Sequence, residues 1–226
     1  MKHLPTVCFI NPNSTVSMTD TCHRTFDRIG LGSCSIFEFV TNEKGPAAIQ
    51  GAQDGEFATE AMLKLAEGLP DHYSAFVVGC FDDTGIERLL DKVRRPVIGI
   101  GQAAYHWASL LSQRFVVLTT LDVSVPVIWE SIQRQGFESQ CIEVVASGIP
   151  VLELERQPDE ALDILDDLIR ANVDSHGEDV ALILGCAGMT ELHQELSSRW
   201  ARLNIVDPVA SGLRLSSILC QEVKLR

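Results

Sequence analysis

Two short stretches of this chain share a pattern that limits how it can fold. Residues 75–85 read Ala-Phe-Val-Val-Gly-Cys-Phe-Asp-Asp-Thr-Gly, and residues 181–190 read Ala-Leu-Ile-Leu-Gly-Cys-Ala-Gly-Met-Thr. Each is an unbroken apolar run that ends in Gly-Cys and leads into a helical pattern. Continuous apolar runs of this length are typical of parallel strands buried on both faces. We therefore place Cys80 and Cys186 where a buried strand ends and a helix begins, which is where open α/β sheets bind ligands.

The charge of the chain argues against nucleic acid and membrane surfaces as partners. The 226 residues carry 18 Lys and Arg against 31 Asp and Glu, a formal net charge of −13. Because nucleic acid and anionic lipid attract basic proteins, this balance disfavours both. The longest apolar runs span about ten residues, short of the roughly 20 that cross a bilayer. We expect no membrane span and a small-molecule partner.

The cysteine content indicates a reducing compartment. The seven cysteines are Cys8, Cys22, Cys34, Cys80, Cys141, Cys186 and Cys220. Their number is odd, no Cys-x-x-Cys occurs, and the first residues lack the pattern of a signal peptide. We therefore expect reduced thiols and a cytoplasmic location rather than a disulfide framework. No cysteines or histidines are spaced as zinc ligands, so no metal site is expected.

Alternating strand and helix patterns predict an α/β fold with parallel sheets. The helices expected include Gly55–Gly68, Ala103–Ser112 and Glu191–Arg202. The first strand pattern, which leads into Asn11-Pro12-Asn13, matches a later strand that ends at Thr119-Thr120, and the interval is close to that between the Gly-Cys loops. We predict two homologous, facing halves, one of residues 1–99 plus 207–226 and one of residues 100–206.

Facing halves would bring Cys80 and Cys186 to opposite sides of one cleft. A helix N-terminus near each thiol would favour the thiolate. The backbone N–H groups that could bind a negatively charged oxygen there belong to Phe81, Asp82, Ala187 and Gly188. A thiol on each face of a bound carbon suits proton transfer by two bases, because one cysteine removes a proton and the other donates one to the opposite face. Each cysteine could instead be a small buried apolar side chain, but the duplicated setting favours chemistry.

Five motifs of the chain resemble hydantoin racemase and the wider aspartate/glutamate racemase superfamily, which also includes allantoin racemase. They are Ile10-Asn11-Pro12-Asn13-Ser14-Thr15, Gly79-Cys80-Phe81-Asp82-Asp83, Pro96-Val97-Ile98-Gly99-Ile100-Gly101, Thr119-Thr120-Leu121 and Gly185-Cys186-Ala187-Gly188-Met189. The resemblance implies two pseudo-symmetric flavodoxin-like halves, each a short parallel sheet flanked by helices, with the active site in the cleft between them. It also implies racemisation by two cysteines without a cofactor, and a homo-oligomer.

The resemblance assigns roles to particular residues of this chain. Cys80 and Cys186 become the catalytic acid/base pair. The polar contacts to the substrate become Asn13, Thr119 and Thr120, together with the N–H groups of Phe81 and Gly188. Position 84 is Thr, where hydantoin racemases more often have Pro. A related decarboxylase lineage keeps only the second cysteine, so the presence of Cys80 argues against that activity.

The expected substrate is a neutral ring, either a 5-substituted hydantoin or allantoin. In such a ring the C5 hydrogen is flanked by a carbonyl and a nitrogen, so deprotonation moves charge to the C4 oxygen without a metal or pyridoxal phosphate. A free amino acid is harder to deprotonate, because its carboxylate resists more negative charge. Apolar Phe81 and Ala187 follow the cysteines where amino-acid racemases of the superfamily tend to have Asn or Thr. An aspartate- or glutamate-type racemase is the alternative.

Two further readings compete with a racemase. Gly99-Ile100-Gly101-Gln102-Ala103-Ala104 has the spacing of a dinucleotide fingerprint after a strand, and Asp122 follows another strand, as an NAD-dependent dehydrogenase requires. This motif lies in mid-chain between the repeats, and close packing of a helix on a strand would also explain its small residues. A non-enzymatic, two-lobed ligand-binding protein would use the same cleft without chemistry.

Overall fold

The computed structural model describes residues 4–173, 176–177 and 179–222, and the strands within these ranges form two four-stranded sheets. The strands are β1 (Thr6–Asn11), β2 (Ile36–Thr41), β3 (Ala75–Val78), β4 (Val97–Gly99), β5 (Arg114–Thr119), β6 (Cys141–Ala146), β7 (Val180–Leu184) and β8 (Asn204–Val206). All neighbouring strands pair in parallel. The carboxyl ends of each sheet therefore share one edge.

The two sheets have the same strand order. The first runs β2-β1-β3-β4 and the second β6-β5-β7-β8. The register is also matched at the ends of the central strands: Ile10 of β1 pairs with Val78 of β3, and Leu118 of β5 pairs with Leu184 of β7. The repeated order and register confirm the predicted fold class of two similar α/β halves.

Helices follow most of the strands, as parallel pairing requires. They are α1 (Val16–Ile29), α2 (Ala52–Glu67), α3 (Ile86–Val93), α4 (Ile100–Leu111), α5 (Val125–Arg134), α6 (Glu153–Arg156), α7 (Pro158–Asn172), α8 (His193–Arg199) and α9 (Pro208–Glu222). Their apolar residues recur at helical spacing. In α7, for example, Ala161, Leu165 and Ile169 are buried while Asp159 and Glu160 are exposed, so one stripe faces the sheet.

Three helices differ from the sequence prediction. The predicted helix Ala103–Ser112 begins earlier, at Ile100, because β4 runs directly into α4. The predicted helix Gly55–Gly68 also begins earlier, at Ala52. The predicted helix Glu191–Arg202 is replaced by a 3-10 helix, Ala187–Glu191, followed by α8. The short α6 has no counterpart in the prediction, since four residues carry too little periodicity to detect.

The strands that precede the two Gly-Cys pairs are buried on both faces, as their apolar runs predict. All residues of β3 and β7 are buried. In β7, Leu182 and Leu184 pack with Leu165 of α7, whereas Ile183 packs on the other face with Tyr105 of α4. Alternate side chains thus enter different core clusters, and the end of the strand is held from both sides.

Helix α9 packs on the first half, as expected, and it also contacts α4. The contact is close, because a Cβ added at Gly212 would lie 2.9 Å from Cγ2 of Ile100. The exact division between the halves stays a prediction, and residues 1–3 and 223–226 of the predicted first half lie outside the described residues. None of the helices in the described ranges is long and apolar enough to cross a membrane.

Candidate active site

Cys80 and Cys186 occupy equivalent positions at the ends of β3 and β7. The N–H of Gly79 donates to the carbonyl oxygen of Ile10 at 2.8 Å, and the N–H of Gly185 donates to that of Leu118 at 2.7 Å. A Cβ at Gly79 would lie 2.5 Å from the Phe9 ring, and one at Gly185 would lie 2.8 Å from the Leu118 oxygen. Glycine is therefore required just before each cysteine. The two backbone hydrogen bonds place the thiols at equivalent positions on the edges of the two sheets.

Both cysteines line one cleft between the two sheets. The residues around it are Asn13, Met18, Ile49, Gly79, Cys80, Phe81, Asp82, Thr119, Thr120, Ser124, Val151, Gly185, Cys186 and Ala187. The space free of protein atoms in and at the mouth of the cleft is about 370 Å³, of which the centre of a water molecule can occupy about 30 Å³. The space is therefore narrow and suits a small, flat ligand.

The structure gathers most of the residues proposed from the sequence around this cleft. Those that line it are Cys80, Cys186, Asn13, Phe81, Asp82, Thr119, Thr120 and Ala187. Gly188 is the exception among the nine, because its N–H donates to Cys186 Sγ at 3.4 Å rather than facing the cleft. Substrate contacts by these residues stay predictions, and the N–H of Gly188 acts on a thiol instead.

Burial dominates the electrostatics of both thiols. It raises the pKa of Cys186 to about 12, and the N–H groups of Gly188 and Met189 oppose the rise. It also raises the pKa of Cys80 well above its ordinary value, helped by the charge of Asp82 and opposed by hydrogen bonds from Thr84 and from the backbone of Asp82. Desolvation outweighs the local donors at both thiols. The helix N-terminus expected to favour the Cys80 thiolate is distant, since α3 begins only at Ile86, whereas the N–H groups that follow Cys186 do lower its pKa, as expected.

Asp82 contributes a buried carboxyl group to the cleft wall. The residue is 8% exposed, and its Oδ2 has no hydrogen-bond partner among the described residues. Burial raises the pKa of this carboxyl to about 7. The sequence predicts only a backbone N–H donor at Asp82, because no sequence pattern indicates that its side chain is buried beside the cysteines.

A hydrogen-bond network fixes Asn13 at the part of the cleft that follows β1. Asn11 Nδ2 donates to Asn13 Oδ1 at 3.0 Å, and the N–H of Thr15 donates to the same oxygen at 2.9 Å. Asn13 Nδ2 has a long contact, 3.4 Å, to Met18 Sδ. Because sulfur is a weak acceptor, this amide N–H₂ is available to a ligand oxygen.

Thr119 and Thr120 occupy the corresponding place in the second half. Thr119 Oγ1 donates to the carbonyl oxygen of Gly185 at 3.2 Å, which ties β5 to the second cysteine loop. The backbone oxygen of Thr120 accepts the N–H of Gly148 at 2.7 Å. The side chain of Thr119 and the backbone of Thr120 are thus held at the cleft by the loops that surround it.

A loop from the first half closes over the cleft. The loop runs through residues 42–51, between β2 and α2, and its Ile49 lines the cleft. Gln50 Oε1 accepts the N–H of Val151, a residue of the second half, at 3.1 Å, and Pro46 O accepts the N–H of Ser14 at 2.8 Å. Sequence reasoning missed Ile49 and Val151, because single apolar residues in loops carry no periodic signal.

The glycine-rich motif at the start of α4 holds a carboxylate of the protein itself. Asp83 Oδ1 accepts the N–H of Gly101 at 3.0 Å, and Asp83 Oδ2 accepts the hydroxyl of Ser131 at 3.0 Å. A Cβ at Gly99 would collide with this carboxylate at 1.9 Å. A dinucleotide would place its pyrophosphate at this helix N-terminus, so the position that a dehydrogenase needs is already filled by Asp83.

Comparison with known proteins identifies the family. The sequence profile described as Asp/Glu/Hydantoin racemase matches residues 7–215. The chain belongs to this family. A hydantoin racemase from Rhizobium meliloti is 34% identical over 211 residues, which cover 93% of this chain and 86% of the relative.

Solved structures agree with the family assignment. An allantoin racemase from Klebsiella pneumoniae superposes with a TM-score of 0.87 at 27% identity, covering 98% of this chain and 90% of that one. An allantoin racemase from Pseudomonas fluorescens gives a TM-score of 0.88 at 26% identity, covering 96% and 91%. Within the Asp/Glu/hydantoin racemase family, the protein is an isomerase of the racemase type.

Proposed function

We propose that the protein racemises 5-substituted hydantoins or allantoin without a cofactor, with Cys80 and Cys186 exchanging the proton at the ring stereocentre. The single observation that carries the proposal is a pair of cysteines at equivalent ends of β3 and β7, lining one narrow cleft. The relatives named hydantoin racemase and allantoin racemase support this class of substrate.

The proposed reaction uses one thiolate and one thiol. The thiolate takes the C5 hydrogen as a proton, the electron pair of the broken C–H bond moves into the C5–C4 bond, and the C4 oxygen gains the negative charge. The thiol on the opposite face then gives its proton to C5, so a new C–H bond forms and the carbonyl is restored. The two sulfurs have exchanged roles, and the ring carbon has the opposite configuration.

The enolate oxygen needs donors, and the cleft offers candidates on both sides. Asn13 Nδ2 has only a weak sulfur partner, and the N–H groups of Phe81 and Ala187 belong to residues that line the cleft. Such donors stabilise charge where it develops, and they act more strongly in a site that excludes water. Because burial raises the pKa of both thiols, we expect activity to rise with pH as the thiolate fraction grows.

The charge of the cleft favours a neutral ring over an acidic amino acid. Among the described residues that line it, none is Lys, Arg or His, whereas Asp82 is acidic. The carboxylates of aspartate or glutamate would lie there without a counter-ion, at a cost of several kcal/mol per buried charge. A hydantoin or allantoin ring brings no such charge, so the amino-acid alternative is disfavoured.

The proposal is tested by exchange of the C5 hydrogen with deuterated water, for single enantiomers of allantoin and of 5-methylhydantoin. We expect the wild-type protein to invert and deuterate the substrate. Replacing the base stops abstraction from one face, and replacing the acid stops return to the other. Cys80→Ser and Cys186→Ser should therefore each lower racemisation by at least about 100-fold.

Cys34→Ser is the matched control, because Cys34 is a partly exposed free cysteine outside the cleft. It should retain wild-type activity. Full racemisation in both directions by either cleft variant would contradict the two-cysteine mechanism, and the absence of exchange with every ring compound would contradict the substrate class.

The homo-oligomer and the cytoplasmic location stay predictions. Some large apolar side chains are exposed in the single chain, among them Leu110 at 83% and Ile218 at 56%. Self-association that covered them would remove apolar surface from water. The seven cysteines are free thiols in the structure, which suits a reducing compartment.

A further inference from the structure

The carboxyl group of Asp82, a residue of the cleft wall, has an unmet hydrogen-bonding capacity. Its Oδ2 is buried and has no partner among the residues that the structure describes. The adjacent Asp83 differs, because both of its oxygens accept hydrogen bonds within the protein. Buried polar atoms are normally paired, and an unpaired one calls for an explanation. An acceptor without a donor, in the wall that holds Cys80 and Cys186, points to a donor on the ligand.

Asp82 also separates two spaces of different size. The cleft between the cysteines is narrow. Asp82 also borders a second, open cavity of about 240 Å³, which is lined by residues of α2, α3 and α5, among them Thr59, Glu130 and Arg134. Asp82 therefore lies between the cleft of the two thiols and a wider space lined by polar side chains.

The charges around this second cavity disfavour an acidic substituent. Arg88 forms ion pairs with Glu56 at 3.1 Å and with Glu60 at 2.5 Å. Arg134 forms an ion pair with Glu87 at 3.3 Å. Since both guanidinium groups are already engaged, a carboxylate on the substrate would meet Asp82 without gaining a free cation.

We propose that Asp82 Oδ2 accepts a hydrogen bond from an N–H group on the substituent at C5, so that the preferred substrates carry a carboxamide or ureido group. This inference rests on the function proposed above and narrows its substrate class. Asp82 then acts as a specificity residue, whereas the proton transfer itself is left to the cysteines. Alkyl substituents would leave the buried oxygen unpaired, and acidic substituents would be repelled by it.

The experiment compares two rings of nearly the same shape, hydantoin-5-acetamide and hydantoin-5-acetate, with allantoin as a ureido compound. For the wild-type protein at pH 8.5, above the pKa of about 7 of Asp82, we expect kcat/KM for the acetamide to exceed that for the acetate by at least about tenfold, as for one hydrogen bond to a charged group. In Asp82→Asn this ratio should fall by about tenfold, because the charge is lost and the amide can donate to the acetate. Allantoin should lose activity together with the acetamide.

The controls separate specificity from folding and from chemistry. Asp91→Asn removes an exposed carboxylate of α3 that lines neither the cleft nor the second cavity, and it should leave the ratio unchanged. Asp82→Ala is the second variant, and thermal unfolding verifies that each variant is folded. Equal rates for both wild-type substrates, or an unchanged ratio in both Asp82 variants, would overturn this inference alone. No C5 exchange with any hydantoin would overturn the proposed function, and this inference with it.

Discussion

Thr84 makes the surroundings of the two thiols unequal. Its Oγ1 donates to Cys80 Sγ at 3.4 Å, whereas Cys186 Sγ accepts the N–H of Gly188 at 3.4 Å. Each donor lowers the pKa of its thiol against the effect of burial. The hydroxyl sits in place because Asp83 (φ 55°) and Gly85 (φ 68°) both adopt left-handed backbone conformations around it. A side-chain donor can be removed by substitution, so its effect on Cys80 is measurable.

We predict that Thr84→Val lowers kcat/KM for racemisation by about three- to tenfold, as for one lost hydrogen bond of about 1 kcal/mol. Valine keeps the shape but removes the hydroxyl, so the thiolate of Cys80 is destabilised and its pKa rises further. The pH profile of kcat/KM should therefore shift to higher pH. Thr84→Ser, which keeps a hydroxyl, should restore the wild-type profile, and an unshifted profile in Thr84→Val would show that the contact is unimportant.

The residues of the cleft that the sequence predicts are those that a motif places at or next to the end of a strand. Cys80 and Cys186 follow buried strands and Thr119 ends one, and their position at the cleft follows from parallel pairing. The buried carboxyl of Asp82 and the hydroxyl contact of Thr84 could not be predicted in the same way. Both depend on a turn with a left-handed non-glycine residue, Asp83, which residue type alone does not specify.

At the scale of single elements, α4 shows how a sequence motif can be explained by the protein's own packing. Gly99 ends β4, and the helix starts at the next residue. The loop that contains Cys80 packs closely against the first turn of α4, since a Cβ at Gly101 would lie 2.2 Å from the carbonyl oxygen of Phe81. The small residues that match the spacing of a dinucleotide fingerprint therefore leave room for the loop that contains Cys80.

We predict that Gly101→Ala lowers the free energy of unfolding by about 2–3 kcal/mol, the usual cost of forcing a group into a packed site. The backbone oxygen of Phe81 cannot rotate away as a flexible side chain could. Gly32→Ala is the matched control, since a Cβ there meets no atom within 4 Å, and it should change stability by less than about 0.5 kcal/mol. Urea unfolding measures both, and equal stabilities would refute the close approach.

The elements themselves were largely predictable. Apolar runs located β3 and β7, and helical spacing located helices such as α7. The predicted helix boundaries are wrong where tertiary contacts determine the backbone conformation. The first turn of α4 donates a backbone N–H to Asp83, and the residues after Cys186 form a 3-10 helix in which the N–H of Gly188 donates to the thiol. Local propensity cannot anticipate such contacts, because the partner lies elsewhere in the chain or in a specific side-chain position.

At the scale of the whole molecule, two adjacent buried carboxyls link folding to pH. Burial raises the pKa of Asp82 and of Asp83 from 3.8 to about 7 each. Between these values the folded protein binds more protons than the unfolded chain. Their contribution to stability is therefore fully present below pH 3.8 and is lost as the pH rises through about 7.

We predict that Asp82→Asn raises the free energy of unfolding at pH 8.5, relative to wild type, by at least about 1 kcal/mol more than it does at pH 5.5. At the higher pH the wild-type protein must bury a charge that asparagine lacks. Denaturant unfolding of both proteins at pH 5.5 and pH 8.5 gives the difference in unfolding free energy at each pH. Contributions that the two proteins share cancel in this difference. A pH-independent difference would mean that Asp82 is not buried as a charge.

The arrangement of the two halves was predictable from the repeated strand pattern, but the closure of the cleft was not. Both sheets have the same strand order, and residues at the ends of β3, β5 and β7 line one cleft. The loop of residues 42–51 contains no repeated motif, yet Gln50 joins it to Val151 of the other half. Contacts between distant loops depend on the assembled shape rather than on the local sequence.

The different hydrogen-bond donors at the two thiols can change kcat and KM for each enantiomer, but the equilibrium constant of the reaction restricts these changes. Mirror-image substrates have the same free energy in water, so the equilibrium constant of the catalysed reaction is unity. The ratio of kcat to KM must then be equal in the two directions, whatever Thr84 does for Cys80 and Gly188 does for Cys186. The inequality between the thiols can only appear as paired changes, in which the enantiomer with the lower KM also has the lower kcat.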